Sequence, residues 1–268
     1  MRVIIITGSS DGIGAEMARQ LAKAEGAKLA LVLAARNEEL LNQVAAECAR
    51  HGAQTLVVKT DVSVQEQCRH LVAATVEKFG RIDALVNNAG RSAHALFEDV
   101  LDLAWYEELM RINLWGSVWC THAALPYLKQ SKGSLVAVSS LAGLFGVPGR
   151  TAYNATKFAM TGFFEGLRIE LKAAGVSVTT AYPGVVATQI RYRGFNAAGT
   201  AMGSSGLKED QAMSVEECAG LIIGGMNKRQ REVVMSFQGK LGRFMKLIAP
   251  GWVENMALRA LKDDLRPH

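Results

Sequence analysis

The sequence predicts an α/β fold built on a doubly wound parallel sheet, and three observations carry that prediction. Short β-branched and aliphatic runs alternate with longer helical patterns along most of the chain. The runs are continuous rather than alternating with polar residues, as in strands covered on both faces. The first run ends in clustered glycines, and a helical pattern follows at once. Strand–helix repetition of this kind builds right-handed crossovers. The chain has 268 residues, 49% hydrophobic and 21% charged, which suits a sizeable core and excludes a disordered chain.

Taken in order, strand candidates lie at 3–6, 29–33, 54–58, 84–86, 135–138 and 176–181, with a weaker seventh at 233–234. Helical patterns lie at 13–25, 38–50, 64–79, 103–130, 152–174 and 215–227. Glu38 and Glu39 suit a first helical turn, where the helix dipole favours acids. No linker divides the first 185 residues, so 1–240 reads as one domain. Within it, 187–213 carries Gly194, Gly199, Gly203 and Gly206 and no period, which marks a substrate lid. Residues 241–268 read as an amphipathic extension, with Phe244, Leu247, Ile248, Trp252 and Met256 among Arg243, Lys246, Arg259 and Lys262. Pro250-Gly251 breaks it into two pieces. A basic, Trp-containing face of this sort suits peripheral membrane contact; packing in a dimer or over the substrate mouth is the alternative.

The net charge of +5 is mild and spread without a basic block, so a nucleic-acid partner is not expected. Cys48, Cys68, Cys120 and Cys218 have neither disulfide-framework nor metal-ligand spacing, and no metal site is expected. They read as small apolar side chains in a reduced compartment. No export-type segment opens the chain, and no run reaches the ~18 apolar residues of a spanning helix. The expected location is cytoplasmic, with a peripheral membrane contact as an addition.

The glycine cluster is Thr7-Gly8-Ser9-Ser10-Asp11-Gly12-Ile13-Gly14. Glycines at a strand-to-helix turn let backbone approach a pyrophosphate, and the helix start offers free N–H groups and a positive dipole end. The expected contacts are Gly8, Ser10, Gly12, Ile13 and Gly14. The spacing G-xxx-G-x-G departs from the commoner G-x-G-x-x-G. After the second strand, where an acid would bind a ribose 2′-hydroxyl, stands Ala35, followed by Arg36. Arg36 can pair with a 2′-phosphate, which favours NADP(H) over NAD(H). Asp11 is an objection, since a carboxylate near phosphates repels them unless it points away.

Tyr153 and Lys157 stand four positions apart at the start of a helical pattern, on one face. A phenol is a weak acid–base catalyst at neutral pH, and a nearby ammonium favours its ionised form. Ser140 ends the fifth strand, at the sheet edge where such folds bind ligands, and its hydroxyl can hold a substrate oxygen beside Tyr153.

Thr7-Gly8-xxx-Gly12-x-Gly14, Asn87-Asn88-Ala89-Gly90, Ser140, Tyr153-xxx-Lys157 and Pro183-Gly184 together resemble the short-chain dehydrogenase/reductases, over about residues 2–235. The resemblance implies a Rossmann-like domain with a seven-stranded parallel sheet. It makes Tyr153 the proton donor or acceptor. Lys157 binds the nicotinamide ribose and lowers the tyrosine pKa, and Ser140 positions the reacting oxygen. Asn113 matches the asparagine that holds a relay water, and Asp61-Val62 the pair near the adenine. Asn88, Ala89 and Gly90 line the cofactor, with Asn87 more structural. Pro183, Gly184, Val186 and Thr188 lie on the nicotinamide side. It also implies a homodimer or homotetramer through the helices at 103–130 and 152–174, where Trp115, Gly116, Phe163, Phe164 and Gly166 stand. Ser139-Ser140-Leu141-Ala142-Gly143 and the helix from Phe158 to Arg168 are similar to the 11β-hydroxysteroid dehydrogenase-like and 3-ketodihydrosphingosine reductase branches, although several NADP-dependent relatives carry a basic residue at the place of Asp11.

The expected substrate side comprises Leu141, Phe145 and Tyr192 beside Ser140 and Tyr153, with His94, Phe195 and Met202 nearby. These flexible and aromatic groups suit a lipophilic carbonyl or alcohol, steroid-like, sphingoid or fatty. His94 reads as an ordinary loop histidine, since Tyr153 supplies the acid. The expected activity is NADP(H)-dependent hydride transfer at C=O or CH–OH. A nucleotide-binding sensor with little turnover and an epimerase or dehydratase using bound NAD are the alternatives.

Overall fold

The computed structural model describes residues 1–203 and 212–264. Residues 204–211 of the expected lid, with Gly206, and 265–268 of the extension lie outside the described residues. The elements run β1 (Arg2–Thr7), α1 (Gly12–Glu25), β2 (Leu29–Ala35), α2 (Glu38–Ala49), β3 (Gln54–Lys59), α3 (Gln65–Phe79), β4 (Ala84–Asn87), α4 (Ala104–Met110), a π-helical turn (Arg111–Trp115) and α5 (Gly116–Ser131). They continue with β5 (Ser134–Val138), α6 (Thr151–Glu170), β6 (Ser177–Tyr182), α7 (Val215–Asn227), β7 (Glu232–Val234), α8 (Phe237–Ile248) and α9 (Pro250–Asp264). Seven parallel strands form one sheet in the order β3-β2-β1-β4-β5-β6-β7.

Successive side chains of a strand point to opposite faces, so each continuous apolar run feeds two cores. From β1, Ile4 and Ile6 pack under α1, α2 and α7, while Val3 and Ile5 pack under α3, α5 and α6. All four are fully buried, each contributing about 1.5–3 kcal/mol by removal from water. The strand order reverses between β1 and β4. The crevice at that switch point, outside the strand C-termini, is where such sheets bind ligands. The glycine turn, Asn88 and Ser140 all follow strand ends there.

Two helical patterns run differently from expectation. The 103–130 pattern divides at the π turn, where Gly116 N–H bonds back to Arg111 O, and the buried Asn113 sits inside it. The 152–174 pattern stops at Glu170, and the chain then turns through Gly175, whose φ is +72°.

Helix α8 starts at Phe237, capped by Ser236. Its inner face is small: a Cβ on Gly239 would lie 2.5 Å from Leu141 Cδ2, and one on Gly242 3.4 Å from the Phe145 ring. Lys246 Nζ donates to Leu144 O at 3.0 Å, and Arg243 pairs with Glu232 of β7. The outer face is apolar, with Phe237, Leu241, Phe244, Leu247 and Ile248 exposed. Pro250 opens α9, where its missing N–H costs no hydrogen bond. Among the described residues, no helix is long and apolar enough to cross a membrane.

Candidate active site

The glycine turn closes against the end of β4. Gly8 has φ +67°, and a Cβ there would lie 2.8 Å from Ala89 Cα. A Cβ on Gly14 would lie 2.5 Å from both Asn88 Nδ2 and Gly8 O. Thr7 Oγ1 accepts the N–H groups of Asn88 (3.0 Å) and Ala89 (3.1 Å) and donates to Val86 O (3.2 Å). The buried Ser9 accepts from Ala34 N–H, tying the turn to β2. Ser10 and Ile13 stay partly exposed at the start of α1. Gly12 has φ +54°, and Thr188 is its nearest neighbour, with Cγ2 3.3 Å from a Cβ position there. Glycine-lined backbone, a helix N-terminus and an adjacent hydroxyl residue fit a dinucleotide pyrophosphate.

Asn88 does more than line the crevice: Nδ2 donates to Thr7 O (2.9 Å) and Gly8 O (3.1 Å), bracing the turn. Asn87 is buried and donates to Thr121 Oγ1, as its structural reading requires. A Cβ on Gly90 would approach Asn113 Oδ1 (3.2 Å) and Lys157 Nζ (3.8 Å), so these three expected residues converge.

Ser140 caps the short turn Leu141–Gly143 by accepting Ala142 N–H. A Cβ on Gly143 would lie 2.7 Å from Ser139 Oγ and 2.8 Å from Lys157 O, so the glycine lets this turn press onto α6. Tyr153 comes from the first turns of α6 and interacts with Ser140. Burial pushes the phenol up from its ordinary value, against the Ser140 hydrogen bond and the charges of Arg150 and Arg191. Lys157 lies under the same face, Nζ 5.6 Å from the ring centroid. Burial lowers its own pKa to about 8. The ammonium is drawn to Val138 O at 3.0 Å and lies at the ring, and the groups that lower the phenol are Ser140 and the two arginines.

Asn113 is fully buried and fully used. Oδ1 accepts Arg91 N–H at 2.8 Å, and Nδ2 donates to Arg91 O and Thr156 Oγ1. It thus links the loop after β4 to α6. Arg36 stands exposed at the end of β2, close enough to Arg91 for their charges to repel. Asp61 spends Oδ1 on Ser63, in the turn after β3. Val62 is buried against Gly116, where a Cβ would lie 2.8 Å away, so Val62 can offer only backbone to a ligand. Pro183 O accepts Leu141 N–H, and Leu141 Cδ1 lies 3.4 Å from a Cβ position on Gly184. Val186 bridges to Met213.

On the substrate side, Leu141 and Phe145 lie under α8. Tyr192 is half-buried, and its carbonyl accepts Gly203 N–H. Met202 N–H bonds Gly194 O. Phe195 is buried with Trp105, Leu109 and Ala152, so its ring fastens the 187–203 segment to the domain. His94 N–H bonds Phe195 O in the same fastening. Gly116 and Phe164, placed by the resemblance at a subunit contact, are consumed inside the chain, whereas Trp115 is exposed. The four cysteines are buried free thiols.

Arg91 and Arg193 were not singled out by sequence. Arg91 Nε donates to Arg193 O at 2.8 Å, and its guanidinium lies 3.5 Å from the Phe195 ring centroid. Arg193 Nη2 pairs with Asp11 Oδ2 at 2.9 Å. Only the position of Arg91 straight after the Asn-Asn-Ala-Gly motif hinted at a role.

The family model described as short chain dehydrogenase matches residues 2–197. An 11-beta-hydroxysteroid dehydrogenase-like 4A from Arabidopsis thaliana is 45% identical over 186 residues, covering 69% of this chain and 61% of that protein. An 11-beta-hydroxysteroid dehydrogenase 1A from the same plant is 36% identical over 260 residues, covering 94% of this chain and 73% of that one. Among solved structures, the alcohol dehydrogenase of the archaeon Thermococcus sibiricus, complexed with 5-hydroxy-NADP, superposes with a TM-score of 0.76 at 27% identity, covering 88% of this chain and 96% of that one. The family model spans most of the chain and the 36% identical plant relative aligns along nearly its whole length, so the chain belongs to the short-chain dehydrogenase family of oxidoreductases.

Proposed function

We propose that the protein interconverts a carbonyl and a secondary alcohol on a lipophilic substrate, using NADP(H). The observation that carries this reading is the meeting of Ser140 and Tyr153 beside Lys157, at the same sheet edge as the glycine turn. Bound nicotinamide supplies or accepts the hydride. Ser140 holds the reacting oxygen. Tyr153, protonated at neutral pH because burial raises its pKa, donates the proton in the reductive direction. Lys157 presents its ammonium at the ribose side and holds positive charge beneath the ring. Asn113 positions the Arg91 backbone and Thr156. The π turn around it opens the regular helical ladder, leaving carbonyl capacity for a relay water.

NADP(H) is preferred over NAD(H) because Ala35-Arg36 replaces an acid at the end of β2, where the exposed Arg36 guanidinium can pair with a 2′-phosphate. Leu141 and Phe145 beneath α8, together with the hydroxysteroid dehydrogenase names of the similar plant proteins, support a lipophilic and steroid-like substrate. The exposed apolar face of α8, with Lys240 on it and Arg259 in α9, supports docking on an anionic membrane surface. Exposed Trp115, stacked on Trp119, and exposed Ile169 support a homo-oligomer through α5 and α6. NADPH consumption with a panel of ketones, steroid ketones included, tests the reading. Wild type turns over and Tyr153→Phe loses at least ~100-fold in rate while still binding NADPH; turnover by the variant at the wild-type rate rejects the role of the tyrosine.

A further inference from the structure

A phosphate-binding turn that carries its own carboxylate needs a counter-charge, and here that charge comes from the lid. Asp11 Oδ1 accepts Gly12 N–H at 2.7 Å, so the carboxylate sits at the N-terminus of α1. Its other oxygen is held by Arg193 at 2.9 Å, across 182 residues of sequence. The lid begins beside the same turn, with Thr188 against Gly12. Its backbone is fixed on either side of the guanidinium: Arg91 holds Arg193 O, and Phe195 is buried under Arg91. Only the side chain of Arg193 is left to reach over the crevice. The ion pair itself is exposed, 60% at Arg193 and 40% at Asp11, and exposed pairs add little to folding stability. Its effect falls on what binds beside it.

We propose that Arg193 is a cofactor-positioning residue. It neutralises Asp11 and brings a guanidinium to the amides of α1, so that the turn meets the cofactor phosphates without an uncompensated carboxylate. This rests on the reading that the glycine turn holds the NADP(H) pyrophosphate. One guanidinium nitrogen engages Asp11, and a guanidinium has five N–H donors in a fork that suits phosphate oxygens. Without Arg193, the same turn offers a phosphate an uncompensated carboxylate.

Equilibrium titrations of NADPH and NADH, followed by intrinsic tryptophan fluorescence, test this with Arg193→Gln, Asp11→Asn and the double variant. Arg193→Gln is expected to weaken both cofactors about tenfold, since the pyrophosphate is common to them, with the thermal midpoint of the free protein unchanged. The double variant recovers at least half of that loss on a logarithmic scale. Wild-type affinity in Arg193→Gln, or no recovery in the double variant, overturns the proposal. Chymotryptic cleavage beside Tyr192 and Phe195 in the cofactor-free protein gives an independent arm. It is several-fold faster in either single variant, and equal rates overturn the clasp whatever the cofactor does. A wild type that takes up neither cofactor, yet shows the cleavage difference, overturns the functional reading and with it the phosphate role of Arg193.

Discussion

The ammonium of Lys157 donates to the carbonyl of Val138 at 3.0 Å, so a helix residue closes the C-terminal end of a central strand from beneath the Tyr153 ring. A buried cation on one carbonyl is a poised arrangement. Burial moves its pKa from the ordinary 10.5 to about 8, within reach of working pH.

The first prediction follows from that pKa. The unfolded chain keeps this lysine protonated up to about 10.5, whereas the folded chain releases the proton near 8. The unfolded state therefore binds more protons between these values, and stability rises with pH across the window. Below about 8 the lysine is charged in both states, and its burial cost stands in full. Thermal midpoints of wild type and Lys157→Met, measured from pH 7 to 10, should show wild type gaining on the variant above pH 8; a constant gap contradicts it. Carbonyl reduction should hold level below about pH 8 and fall above it as the ammonium is lost, while Tyr153 keeps its proton.

Cofactor choice gives the second. Arg36→Gln removes one of the two cations that repel each other at the end of the crevice. NADPH affinity should fall by about tenfold, with NADH affinity changed less than ~2-fold, since only the 2′-phosphate distinguishes them. Equal losses for the two cofactors in a fluorescence titration would assign Arg36 to something other than that phosphate.

The third concerns α8. Its domain-facing side is made of glycines and Lys246, and its exposed side of Phe237, Leu241, Phe244, Leu247 and Ile248. Co-sedimentation with vesicles containing anionic lipid should capture wild type, with capture falling as salt rises. Phe244→Ser/Leu247→Ser should lose most of it with turnover of a small ketone retained. Equal capture by neutral and anionic vesicles rules out the charge contribution, and a dimer in place of vesicle binding assigns the face to a second copy.

β1, β2, β4 and β5 were legible because their runs are almost wholly apolar, the mark of strands buried on two faces, whereas β3, β6 and β7 carry Gln54, Thr179 and Glu232; the edges of all seven moved by only a residue or two. The cluster of Ser140, Tyr153 and Lys157 was legible from order and helical spacing. The π turn was not, because one extra residue in a helix leaves the composition of 103–130 unchanged. Nor was the fate of Asp11: its objection to a phosphate is answered by Arg193, from an aperiodic segment that no local pattern ties to the glycine turn. The periodicity of the extension was readable, but which side faces the domain depends on Leu141 and Phe145, about a hundred residues away.

The π turn has a consequence for chain length. Deleting a single residue from 111–115 would let the ladder close as an ordinary α-helix. The wide turn absorbs its extra residue, so the helices on either side would keep their faces while the local backbone around residue 113 was rebuilt. Asn113 would swing off Arg91 and Thr156, while α5 still packed its own apolar stripe. Such a shortened chain should fold with its sheet intact and its chemistry gone, so insertions and deletions here are filtered by activity rather than by folding.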